Sequence, residues 1–219
     1  MKAATNAGRS EGNIMKTTLF SAALATGVGL MGFSARPVTA AGVHSKIFFM
    51  KVSPGAATCL PNATGRVTVS NLGPVENLHV EVSGLRKETD YDFFVIQVPN
   101  KPFGLSWYQG DIVTDADGNG VGDFVGRFSV ETFIVAPGQA IVPKPVHPKD
   151  APAGSMNPAI PAPIHTYHVG LWFNSPTDAA NIGCPGDTTP FNGDHTAGIQ
   201  VLNTGGFPDD RGPLRHFRP

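Results

Sequence analysis

The chain has 219 residues and nearly balanced charge, 16 Lys and Arg against 17 Asp and Glu, and only 15% of its residues are charged. There is no basic stripe, which argues against nucleic acid as a partner. Low charge combined with 26 glycines and 20 prolines disfavours a helical protein and suits a loop-rich β protein.

The first elements are those of export. Residues 1–14 show no structural pattern, and Met15 is the expected start. Lys16 supplies a positive charge, and Leu19–Phe33 is an apolar, small-residue run of signal-peptide length, too short for a comfortable membrane span. Val38-Thr39-Ala40 sets small residues where a signal peptidase reads, so cleavage is expected after Ala40. The alternative is a retained N-terminal anchor. Residues 1–40 carry four basic and one acidic side chain, which leaves 12 and 16, a net charge of −4, on the mature chain. That chain is long enough for one domain with a real core. The expected organisation is a leader and signal peptide over 1–40, a single β-sandwich over 41–204 and a flexible Gly/Pro-rich tail over 205–219. No membrane span is expected after cleavage.

Short runs rich in β-branched and aromatic residues then recur between turn signals, and helical periodicity is nearly absent. Strands are expected over Lys46–Val52, Arg66–Ser70, Leu78–Ser83, Tyr91–Val98, Leu105–Ile112, Asp123–Phe128, Thr132–Val135, Thr166–Phe173 and Ile199–Leu202. In "NLHVEVSGL", Leu78, Val80 and Val82 point to one face and His79 and Glu81 to the other. "DFFVIQV" is apolar almost throughout, as expected of a central strand. Residues 136–164 contain eight prolines, which excludes a helix or a central strand and implies a long surface crossover or a functional loop. In "SPTDAAN", Ser175 as N-cap, Pro176 at the first helical position and Asp178 nearby suit one helical turn.

In "GLRKETDYDFFV", Leu85, Thr89 and Tyr91 stand at the entry to a strong strand. This stretch resembles the tyrosine corner of fibronectin type III and immunoglobulin-like sandwiches, of the kind found in secreted bacterial domains. The resemblance covers about a dozen residues and implies an all-β, immunoglobulin-like antiparallel β-sandwich with long Pro/Gly-rich loops. It also implies that Leu85 fills the core and that the Tyr91 hydroxyl bonds back to upstream backbone. Both cysteines, Cys59 and Cys184, lie in the exported part. One disulfide is the simplest outcome, contributing on the order of 4 kcal/mol by loop closure. Free thiols or a shared metal are the alternatives.

Three patterns carry possible chemistry. In "DADGNGVGD", Asp115, Asp117, Asn119 and Asp123 offer oxygens at calcium-loop spacing, but Gly126 stands at the twelfth position, where an EF-hand needs Glu. Strand patterns flank the segment, and Asp-Gly and Asn-Gly pairs supply the positive φ of a hairpin turn, which is the favoured reading. His165 and His168 in "IHTYH", with His195 in "NGDH", form a possible copper or zinc set. A histidine brace at His44 would need cleavage after Val43, a poor residue for it. Trp107, Tyr108 and Trp172 are a possible aromatic surface for a glycan or a protein. No Gly-x-Ser-x-Gly elbow, HExxH motif or phosphate loop is present. The sequence therefore points to a secreted or cell-surface, non-catalytic binding or structural module; it fixes no cofactor, and calcium and copper or zinc are the candidates. The alternative is a secreted copper or zinc protein, with redox activity open to it.

Overall fold

The computed structural model describes residues 44–129, 164–189, 196–215 and 217. The leader, the expected cleavage site, the Thr132–Val135 strand, the Pro-rich prolines 137–163 and His195 lie outside them.

Nearly all the regular structure is antiparallel β. The strands are β1 (Ser45–Val52), β2 (Thr64–Asn71), β3 (Glu76–Ser83), β4 (Asp90–Ile96), β5 (Ser106–Val113), β6 (Gly120–Gly126), β7 (His168–Phe173) and β8 (Gln200–Asn203). A 3-10 turn follows β1 at Pro54–Ala56, and helix α1 spans Pro176–Ala180. The strand order is β5-β4-β7-β8-β1-β2-β3-β6. Strand β1 joins the two halves: Ser45–Met50 pair with β2, and Lys51 and Val52 with β8. The strands at the two ends, β5 and β6, are consecutive in the chain and meet in a bridge between Thr114 and Gly120. The sheet therefore curls nearly into a barrel.

The alternation expected of β3 is met: Leu78, Val80 and Val82 are buried beside partly exposed His79 and Glu81. These residues face Val67 and Val69 of β2 and, from the other half, Phe93, Val95, Val169 and Leu171, all in one core. Phe93 of β4 stacks on Phe124 of β6, with centroids 4.9 Å apart at 14°. A Cβ on Gly110, at φ +148°, would press on the Phe124 ring, so the bulge in β5 needs glycine there. Strand β4 is buried on both faces from Tyr91 onward, as its unbroken apolar run requires. Its outer face packs Phe94 and Ile96 with Trp172, Ala197 and Phe103 into a second, smaller core. The N-cap is as expected, with the Ser175 hydroxyl accepting from the Asp178 N–H.

Strands β2 and β3 each start two residues before the expected position, and β6 and β7 also start elsewhere than their residues suggest. Strand β6 runs from Gly120 to Gly126, not from Asp123 to Phe128, because the turn before it is tight and returns the chain early. Strand β7 begins at His168, so His165 lies outside the regular strand.

Candidate functional site

The Asp115 segment is a hairpin end held by its own backbone. Asp115 Oδ1 accepts from the N–H groups of Asp117 and Asn119, each at 2.9 Å. These bonds hold its carboxyl below the usual carboxylate range. The Asp115 N–H donates to the Asn119 carbonyl at 2.7 Å, closing the turn. Gly118, at φ +78°, lies against the Leu85 carbonyl, where a Cβ would collide. Asp123 does not join the turn. It lies on β6 opposite His79, and its Oδ1 meets Asn77 Nδ2 at 3.0 Å and His79 Nδ1 at 2.9 Å. Those cross-strand bonds hold Asp123 below its ordinary range as well. The four calcium candidates are thus split between a turn and a strand face.

The histidine set fares similarly. His168 is fully buried; its Nδ1 meets the Thr204 hydroxyl at 2.9 Å and its Nε2 the Asp209 carbonyl at 3.2 Å. A carbonyl only accepts, so Nε2 carries the proton, and both ring nitrogens are engaged in tying β7 to the chain after β8. His165 is buried and stacks on Tyr167, with centroids 4.8 Å apart. Among the described residues no three His, Cys, Asp or Glu side chains gather as a cation site.

The aromatic trio does not make one surface. Trp172 is fully buried, edge-on to Phe94 and Phe103 at 5.3 and 5.1 Å. Trp107 is half-buried and packs towards Phe128. Tyr108 is exposed, its hydroxyl donating to Asp111 at 2.6 Å. The reason is visible in "HVGLWF": apolar residues on both strand faces mark a strand covered on both sides.

A cavity of about 270 Å³ opens where four segments meet, and no motif announces it. The 3-10 turn gives Ser53, Pro54 and Gly55; the loop after β4 gives Asn100, Lys101 and Phe103; Pro185 and Asp187 follow α1; Ile199 and Gln200 complete the wall. Each segment is fixed by chemistry. The Ser53 N–H donates to the Val201 carbonyl at 2.8 Å, and its hydroxyl donates to the Gln200 carbonyl. Within the β4 loop, Gln97 N–H donates to Leu105 O, Val98 N–H to Phe103 O, and Gln97 Oε1 accepts from Leu105 N–H. Asn203 Nδ2 then pins that loop to β8 through the Pro99 carbonyl at 3.0 Å. The cysteines are joined as Cys59–Cys184, with Cα atoms 5.2 Å apart. The bond ties the chain following the 3-10 turn to the chain preceding Pro185, so two walls of the cavity are covalently linked.

The cavity's lining combines apolar Phe103, Ile199, Pro54 and Pro185 with polar side chains that include Asn100, Lys101 and Asp187. Of these residues Ile199 and Gln200 fall on a strand expected from the sequence, Ile199–Leu202. The rest lie in separate loops, and the sole prior hint was the cysteine pair beside two of them. No protein-family model matches the chain, and no curated protein matches it.

Proposed function

We propose that this chain is an exported, non-catalytic binding module of immunoglobulin-like type, and that the cavity beside the disulfide takes one residue of an extracellular glycan. The cavity carries the reading. Its volume lies just below the range usual for drug-sized ligands and suits a single ring. Phe103 and the prolines of its lining offer C–H contacts to a sugar face, while an amide, an ammonium and a carboxylate offer donors and acceptors to hydroxyls.

The disulfide supports export, since such bonds persist in oxidising compartments. Among the described residues, no helix is long and apolar enough to cross a membrane. The immunoglobulin-like assignment draws support from the buried Tyr91, whose hydroxyl accepts from Arg86 N–H as a tyrosine corner requires.

The test is a glycan array probed with the full chain, followed by Phe103→Ala and Asp187→Asn. A bound glycan lost at least tenfold in both variants, with melting unchanged for Asp187→Asn, is the expected result. An array without binders, or binding indifferent to both substitutions, overturns the cavity. Stoichiometric copper or zinc in the purified protein would overturn the metal-independent reading.

A further inference from the structure

The half formed by β1, β2, β3 and β6 has one face in the core and one face open. On the open face stand Ile47 and Phe49 of β1 and Val121 and Val125 of β6, each about half or more exposed. Between them, β2 and β3 present polar residues. The register aligns one row across all four strands: Phe49 opposite Arg66, Arg66 opposite Glu81, and Glu81 opposite Val121. Arg66 and Glu81 form an ion pair in the middle of that row. The sequence along it is therefore apolar, cation, anion, apolar.

We infer that this face docks on the same face of a second copy of the chain. A two-fold axis parallel to the strands, between β2 and β3, exchanges β1 with β6 and β2 with β3. It sets Phe49 over Val121 of the second copy and Arg66 over Glu81 of the second copy. Such a contact is isologous, and every group in the row meets its complement. The two ion pairs then merge into a network of four alternating charges, a stronger arrangement than an isolated surface pair. A partner of one charge sign would leave Arg66 or Glu81 uncompensated, so the neutral row favours a copy of itself.

Four strands spaced by about 4.8 Å, three of eight residues and β6 of seven at about 3.3 Å each, give a footprint of roughly 500 Å² per copy. That is the low end of specific interfaces, and the dimer is accordingly weak and concentration-dependent.

Sedimentation velocity on the full chain, from about 1 to 500 μM, tests this. Wild type is expected to pass from monomer to dimer in that range. Arg66→Glu makes the row wholly acidic, and Glu81→Arg makes it wholly basic, so each alone weakens association at least tenfold. An equimolar mixture of the two restores a dimer, because the acidic row of one meets the basic row of the other. Phe49→Glu, which leaves the ion pair intact, also weakens association at least tenfold. The proposal falls if wild type stays monomeric, if any single variant dimerises like wild type, or if mixing restores nothing. Association through the apolar run Leu19–Phe33 would ignore all three substitutions and counts against it.

Discussion

The Tyr91 hydroxyl accepts a hydrogen bond from the backbone N–H of Arg86 at 3.1 Å, from a ring with no exposed surface. Arg86 in turn reaches α1, its Nη1 donating to Asp178 Oδ1 at 3.0 Å and to the Asp178 carbonyl at 3.2 Å. One phenol therefore fixes the corner before β4 and the arginine that holds the helix near Cys184. Tyr91→Phe keeps the packing and leaves the Arg86 N–H without its acceptor, at about 1–2 kcal/mol. For a domain of this size, melting should fall by about 2–4 °C per kcal/mol.

Burial pushes the Tyr91 phenol above its ordinary range. The folded state thus holds the proton more tightly than the unfolded chain does. Its contribution is complete below the ordinary phenol value near 10 and is lost as the pH rises beyond it. Wild type should lose stability above about pH 10 in urea titrations, and Tyr91→Phe should lose less over the same interval. Equal alkaline slopes for the two proteins would show that Tyr91 does not drive the change.

Local chemistry was legible before the structure, and long-range assembly was not. Leu78, Val80 and Val82 declare their face by alternation and Ser175 its cap by type, and the resemblance of the Tyr91 stretch implied its bond to upstream backbone. The strand over "DFFVI" read as buried on both sides and is so. The same logic holds for "HVGLWF": apolar residues on both strand faces cover Trp172, which lies in a core with Phe103, 69 residues earlier in the chain, and not on the aromatic surface its residue type suggests. The cavity was illegible for a related reason. Its walls come from three loop segments and the start of β8, which only the sheet register and the disulfide bring together.

The Cys59–Cys184 bond closes a loop with a sequence separation of 125. Reduction, or Cys59→Ser with Cys184→Ser, should lower the unfolding free energy by about 2–5 kcal/mol. Urea midpoints with and without a thiol reductant measure this. Because the bond also links two cavity walls, ligand affinity should drop under native, reducing conditions before global unfolding. Retained affinity with the bond open would show that Pro54 and Pro185 are held in place by other means.

The turn at Asp115 should behave as a turn. Calcium at millimolar concentration is expected to leave the melting temperature unchanged, because Asp123 is committed to His79 and Asn77 across the sheet. Gly118→Ala should be destabilising by about 1–3 kcal/mol, since it combines a positive φ with a collision at the Leu85 carbonyl. The carboxyls of Asp115 and Asp123 titrate lower in the folded chain than in the unfolded one. Their contribution is present above the ordinary carboxylate value near 4 and is lost as the pH falls through the folded values. Asp115→Asn, which keeps an acceptor oxygen, should flatten the acid limb of stability against pH. An acid limb identical to wild type would rule Asp115 out as its source.

The two tryptophans offer an optical check on the second core. Trp172 has no exposed surface and touches Phe94 and Phe103, whereas Trp107 is half-buried at the rim of the main core. Trp107→Phe should leave a blue-shifted emission that iodide hardly quenches. Trp172→Phe should leave a redder emission that iodide does quench. Trp172→Ala removes a large side chain from a packed site and should cost about 3–5 kcal/mol. The loss should also loosen the loop bearing Phe103, so ligand binding in the cavity should weaken along with stability. If Trp172 emission were as accessible to iodide as that of Trp107, the outer face of β7 would be open, and the aromatic surface expected from the sequence would be restored.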